Sequence, residues 1–567
     1  MARERRLPVR RQAVPIRDPR YRPRQRTRTV VDPRATFVGL GLLVLLVGVP
    51  LFVVNALGSS GPPSQPLVSG SPRATATGGA AASADASAPP TDAAGSPLPA
   101  QTPVTPVELP IVPVVSFWSP QRSIAPDELR AALAGTSKAH GNVIVPAADR
   151  EAIAEAVGVE LGERVRSGTP HDVRTAVHEG ALGFQRPGDV GADVKALAIG
   201  DRALYGAAGV EKLADWPLRI TVTDGSRPWD PANLISMVAV GDILLDRGVS
   251  HQARILGKGV DFPLDGGTAE ITGTTCCSGF GQRTPLWRRT GNEGAVRELL
   301  KAADLALGNL ESPVDDDFVH HTRGTVFSGD PKMLDGLQRA GFDFLSLGNN
   351  HIGDAGRDGV LETIAELEKR KIAYSGAGQT PEGASRPAVF ETHGTTIALL
   401  GCDAVAKAYW VEDRPDSVGS APCDTEEVAR NIGAAREVAD VVIVYPHWGI
   451  EYRSTPTEVQ RGQAAAWMEA GAHAVIGNHS HWPGGMERID KQLVFYALGN
   501  FVFDQTWSVR TMQGLVLEMT WEGDHLRQAW LHPTLLIDQS QPNFLDPARD
   551  GGADVMELVR ESSRVPW

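Results

Sequence analysis

The chain has 567 residues, more than the roughly 250 to 300 that one hydrophobic core can serve, so two folded units are expected. Its net charge of -13 is unevenly placed: twelve arginines stand in the first 34 residues against Glu4, Asp18 and Asp32, leaving the remainder acidic. An acidic body excludes a protein that tracks along nucleic acid, which needs phosphate-neutralising Lys and Arg on one face.

In chain order, residues 1–34 read as a basic cytoplasmic tail, because positive charge beside an apolar run stays inside. The run itself, 35–57 (ATFVGLGLLVLLVGVPLFVVNAL), carries no charge. At a 1.5 Å rise, about 23 residues reach about 34 Å, enough to cross a bilayer core. A transmembrane helix is therefore expected, with Pro50 tolerated as a kink. The rival is a cleaved signal peptide, whose apolar region is typically only about 7 to 15 residues. Residues 58–110, almost wholly Ser, Ala, Pro, Thr and Gly, lack the apolar side chains that would offset ordering entropy, and read as a disordered linker. Everything after 57 is expected outside the cell, on a single-pass membrane protein.

Residues 111–230 alternate helical patterns such as APDELRAALAG with apolar runs such as NVIVP and LRITVT, which predicts a small α/β accessory domain. The segment loosely resembles one lobe of a periplasmic solute-binding protein. The competing reading is a module that only packs or binds a partner. Residues 236–540 form the expected main domain, followed by a C-terminal tail, 541–567.

Within the main domain, short apolar strands each end in polar residues, the placement at which loops of α/β sheets converge on ligands. SMVAVGDILLD offers Asp242 as a carboxylate for a hard metal, and DLALGNLESPV offers Glu311 with Asn309 beside it. Either acid alone reads equally well as a helix cap. FDFLSLGNNHIGDAG places two amides, a histidine and an acid after one strand: Asn350 supplies a neutral oxygen ligand and His351 a proton donor. VVIVYPHWGIEY ends in His447, with Glu451 at the edge, and AVIGNHSHWPG carries His479 and His481, a pair that can face two neighbouring metals. FYALGNFVFDQ adds Asn500 and Asp504 as a site edge, or as residues that merely shape the turn. The cysteines are Cys276, Cys277, Cys402 and Cys423; outside the cell they allow two disulfides, with Cys402 to Cys423 the expected pair and the adjacent two either bonded or free.

The ordered set GDILLD, GNLESPV, SLGNNHIGDAG, YPHWGIEY, IGNHSHW and YALGNFVFDQ resembles the CapA family, linked to capsule and poly-gamma-glutamate synthesis, within the calcineurin-like metallophosphoesterases. That resemblance implies a four-layer α/β/β/α sandwich and a centre for two divalent transition metals, Mn, Fe or Zn. Asp242 and His481 would hold one metal, Glu311 would bridge, and Asn350, His447 and His479 would hold the other. His351 would be the catalytic acid. Two departures from the wider superfamily stand out: Leu244 occupies its usual histidine position, and Glu311 its bridging aspartate. The implied role is synthesis or export of an anionic surface polymer with membrane-bound partners. The alternatives are an extracellular phosphatase or phosphodiesterase unrelated to capsule, and a non-catalytic polymer-binding scaffold.

Overall fold

The computed structural model describes residues 105–406, 418–565 and 567, with the backbone of Arg10 and Arg11. Apart from Arg10 and Arg11, the expected cytoplasmic tail lies outside the described residues, as do the membrane helix and nearly all of the linker. Among the described residues, no helix is long and apolar enough to cross a membrane. Residues Pro103–Trp567 belong to one compact unit.

The N-terminal part of that unit is built on a five-stranded sheet. Val112–Ser116, Val143–Pro146, Val165–Gly168, Leu182–Gln185 and Val194–Ala196 form it, and Pro126–Leu133, Arg150–Val157 and Pro170–His178 are its helices. The last helix starts at a capping box, Thr169 with Asp172, which satisfies backbone donors that would otherwise be orphaned. Val114, Val145, Val177, Phe184 and Trp216 are buried in one cluster that belongs to this module. The strand Val107–Pro110 falls within the expected linker; it pairs with Arg219–Val222 and so closes the module on itself.

The remainder is mixed α/β with two large sheets. In the first, β1 (Leu234–Ile243), β2 (Leu305–Leu310) and β3 (Phe344–Ser346) are parallel neighbours. In the second, β4 (Thr395–Asp403), β5 (Val441–His447) and β6 (Ala474–Ile476) are likewise parallel. The short β7 (Asn500–Val502) returns to β1, while β8 (Gln513–Glu522) and β9 (His525–Ile537) extend the first sheet antiparallel.

Side chains alternate across each strand, and the alternation builds the layers. Met237 and Ala239 of β1, Leu305 and Leu307 of β2, Ile397 and Leu399 of β4, and Ile443 and Tyr445 of β5 share one buried cluster between the sheets. The opposite faces meet helices. Val238 and Val240 pack with the helices Ala295–Ala302, Leu334–Ala340 and Gly356–Arg370, and Val442 and Val444 with Thr425–Arg436 and Glu458–Glu469. The order is helices, sheet, sheet, helices. A strand buried on both faces reads as a continuous apolar run, as VVIVY does. The expected C-terminal tail continues this fold: Gln541–Phe544 pairs with β9, and Val555 and Val559 of the helix Gly552–Ser562 are buried in the cluster between the sheets.

Disulfides join Cys402 to Cys423 and Cys276 to Cys277. The first fastens the end of β4 to the approach of the helix that covers it. The second lies in the turn of the exposed hairpin formed by Thr268–Thr275 and Thr284–Gly291.

Candidate metal centre

Asp242 stands near the C-terminal end of β1, where the strand is pressed against the 499–500 turn: a Cβ on Gly241 would lie 1.8 Å from the Gly499 carbonyl oxygen, and the Asp242 N–H donates to that oxygen at 3.1 Å. The close approach needs glycine and aims the Asp242 side chain inward. Its Oδ1 accepts from Asn309 Nδ2 at 2.9 Å, and its Oδ2 lies 3.4 Å from His481 Nδ1. Glu311 follows β2 and is fully buried, as are Asp242 and His447.

Neither carboxylate oxygen of Glu311 receives a hydrogen bond. His447 Nε2, His481 Nε2 and His351 Nε2 lie 3.7, 3.8 and 4.0 Å from its Oε1. Burial, and then the negative charges of Asp242 and Glu451, push its carboxyl well above the usual range, with Arg247 opposing. A buried carboxylate without a donor is costly, and cations would relieve that cost.

His479 and His481 both hold left-handed backbones, at φ 90° and 56°. For non-glycine residues that conformation is strained, and it persists where surrounding structure enforces it. His479 Nδ1 is 3.1 Å from His447 Nε2, and His481 Nδ1 is 2.9 Å from Asn500 Oδ1. Burial and the neighbouring histidines depress both His447 and His479, the latter to about 4. Both shifts favour the neutral imidazole, the form that binds metal.

Two groups result: Glu311 with His447 and His479, and Glu311 with Asp242 and His481. Within each, the ligand atoms lie within 4.8 Å of one another and every residue is buried. Glu311 is common to both. The orphaned Glu311 oxygens and three imidazoles among carboxylates form a donor set that fits divalent transition metals. Leu244 points away, into an apolar cluster with Phe503 and Leu535, so this position supplies no ligand.

The remaining predicted residues surround these groups. Asn309 bridges Asp242 to His447, whose Nδ1 is 3.2 Å from its Nδ2. Asn350 follows in the turn after β3, half-buried, with Oδ1 shielded from solvent. His351 is held by Asp354, with Nδ1 to Oδ2 at 2.8 Å, and lies against Phe327 with ring centroids 4.3 Å apart. Asp504 binds Arg247 and accepts from Gly248 N–H at 3.0 Å, and Glu451 is exposed at the edge.

Three residues to which the motifs assigned no role also contribute. Asn349 Nδ2 donates to Leu310 O at 2.8 Å and fastens the turn before His351 to the end of β2. Arg247, whose guanidinium lies over Phe327 at 4.8 Å and pairs with Asp504, is a positive charge that opposes the rise of the Glu311 carboxyl. Tyr445 ties the two sheets together through its hydroxyl, which donates to Val240 O. Arg247 stood in GDILLDRG and Asn349 in GNNH, so proximity to named ligands was the available signal; nothing local marked Tyr445.

The fold and site define a two-sheet α/β protein with a buried, histidine-rich and carboxylate-rich centre suited to metal. Residues 236–505 match the family described as bacterial capsule synthesis protein PGA_cap. It is 32% identical over 217 residues to the PGA biosynthesis protein CapA of Bacillus subtilis, covering 38% of this chain and 57% of that one. It is 29% identical over 286 residues to the capsule biosynthesis protein CapA of Bacillus anthracis, covering 47% and 67%. The match thus spans little more than half of the first relative's length. Among solved structures, a 5'-nucleotidase precursor from Thermus thermophilus overlaps 58% of each chain at 13% identity, with a TM-score of 0.31.

Proposed function

We propose that residues 236–540 form a metallophosphoesterase sandwich with a binuclear metal centre, serving synthesis or export of a capsule or poly-gamma-glutamate-type surface polymer. The observation that carries the reading is Glu311, buried without a hydrogen-bond donor and shared by two ligand-type groups. Asp242 and His481 would hold one metal, His447 and His479 with the Asn350 oxygen the other, and Glu311 both. Bound metals of this kind supply Lewis acidity and an activated water for phosphoryl transfer.

The chain's own residues supply the rest. Asp354 occupies His351 Nδ1, which leaves Nε2 facing the centre, 4.0 Å from Glu311, as the atom that hands a proton to a departing oxygen. Arg247 places a fixed positive charge beside the site, where phosphoryl oxygens would gather. The enzyme would stand outside the cell, anchored by the apolar segment 35–57.

Elemental analysis of the purified chain beside an Asp242→Ala, His479→Ala variant tests the centre. About two transition metals per chain, lost in the variant, are expected for a binuclear site. Absence of metal after reconstitution with Mn, Fe or Zn would refute it. The burial of Leu244 in an apolar cluster favours a second reading, a polymer-binding scaffold without turnover. Metal binding without hydrolysis of any phosphoester would select that reading.

A further inference from the structure

The rim of the centre continues outward as aromatic rings for which the proposed chemistry has no use. Tyr452 lies with its ring centroid 5.9 Å from that of His481 and 6.3 Å from that of Trp482. Trp507 meets Tyr452 edge-on at 5.1 Å, and Phe280, in the turn of the exposed hairpin, leans on Trp507 at 5.4 Å. Phe280 is 73% exposed, whereas Tyr452 and Trp507 are half-buried. The ladder therefore runs from a ligand-type histidine to open solvent.

Two features show that it is built rather than incidental. Tyr452 holds φ at 61°, a conformation a tyrosine adopts only where its surroundings enforce it, and its N–H donates at 2.8 Å to the carbonyl of Ser480, between the two site histidines. Glu451 and Gln505 lie beside its phenol; Gln505 accepts from Asn500 Nδ2 at 3.2 Å, and the Asn500 oxygen faces His481. At the outer end, Val509 N–H donates at 3.0 Å to Arg283 O, which pins the hairpin to the segment carrying Trp507.

Flat apolar faces flanked by a carboxylate and an amide suit a ring with a C–H face and hydroxyl edges. A flexible acyl chain would want an enclosed channel, and this surface is open. We propose that Tyr452, Trp507 and Phe280 form a subsite for the sugar ring of a glycosyl phosphoester whose phosphoryl group lies at the Asp242, Glu311 and His481 end. The proposal rests on the phosphoesterase reading of that centre.

Calorimetric titration of the full-length, manganese-loaded protein with α-D-glucose 1-phosphate, methyl phosphate and adenosine 5'-monophosphate tests it. Glucose 1-phosphate is expected to bind about ten-fold more tightly than methyl phosphate, the scale of one stacked ring. Trp507→Ala and Phe280→Ala, both at accessible positions, are expected to erase that advantage while leaving methyl phosphate affinity and manganese content unchanged. Equal affinities in the wild type, or an advantage that survives both substitutions, overturn the subsite. A preference for adenosine 5'-monophosphate that disappears in the variants overturns the sugar assignment in favour of a nucleobase. Failure to retain manganese, read directly from metal content, overturns the phosphoesterase reading and the subsite with it.

Discussion

His351 illustrates how one side chain is prepared for chemistry. The Asp354 contact fixes its orientation and Phe327 covers one face, so only Nε2 is directed at the centre. His351→Ala is expected to lower phosphoester hydrolysis by about 10² to 10⁴-fold, the usual range for a positioned acid, with metal content unchanged. Asp354→Asn should cost less, because the ring remains present but loses its orienting anion. Both are read from steady-state kinetics beside elemental analysis. His473 carries a different lesson, since it lies outside the centre. Burial, with Arg436 nearby, depresses it to about 4 from an ordinary 6.5, and its neutral Nδ1 accepts the Val442 N–H at 3.1 Å. The folded pKa lies below the unfolded one, so the stability it contributes is present above about pH 6.5 and is lost as pH falls towards 4. Denaturant unfolding from pH 7 to pH 4 should therefore show a shallower loss for His473→Asn than for the wild type. Equal slopes would rule out the contribution.

At the scale of elements, the centre is made by strand ends, and sequence reading reached it because each strand is a short apolar run followed at once by a polar cluster. Asp242, Glu311, His351, His447, His479 and His481 were all legible in this way. Their grouping was not, because β1 and β2 belong to one sheet and β5 and β6 to the other, and a run of residues does not say which sheet a strand joins. The cysteines show the same limit: an even count permitted several pairings, and contact between β4 and the following segment selects Cys402 with Cys423. That bond spans 21 positions, so reduction, or Cys402→Ser with Cys423→Ser, should cost roughly 3 kcal/mol on the loop-entropy estimate. A thermal melt with and without reductant reads the loss, and the Cys276→Ser, Cys277→Ser pair, which closes no such loop, serves as the control.

At the scale of the whole unit, the N-terminal module is fastened to the main domain through the outer face of β8 and β9. Glu518 is buried there; its Oε1 accepts from Ala207 N–H at 2.7 Å and its Oε2 lies 2.8 Å from His532 Nε2. Gly206 N–H donates to Thr520 Oγ1 at 2.8 Å, and Ala196 N–H to Gln528 Oε1 at 3.2 Å. Removing one member of such a buried network leaves its partners unsatisfied. Glu518→Ala should lower stability by about 3 kcal/mol and split a single unfolding transition into two, as followed by calorimetry. A single transition with unchanged midpoint would show that the modules do not depend on this contact.

The sequence by itself determined the α/β character, the strand ends that carry polar residues and the likeness of the main domain to the capsule-synthesis family, because periodicity, composition and short motifs are local properties. It also set the expectation of an apolar segment at 35–57, on hydropathy alone. Tertiary structure decided what locality cannot express: which strands share a sheet, that Glu311 of the first sheet lies within reach of His447, His479 and His481 of the second, that Leu244 turns into an apolar cluster, and that Tyr452, Trp507 and Phe280, far apart along the chain, stand in one row. The physical reason is that each of these depends on packing between elements distant in sequence, where burial and hydrogen bonding select one arrangement among many that the local pattern allows.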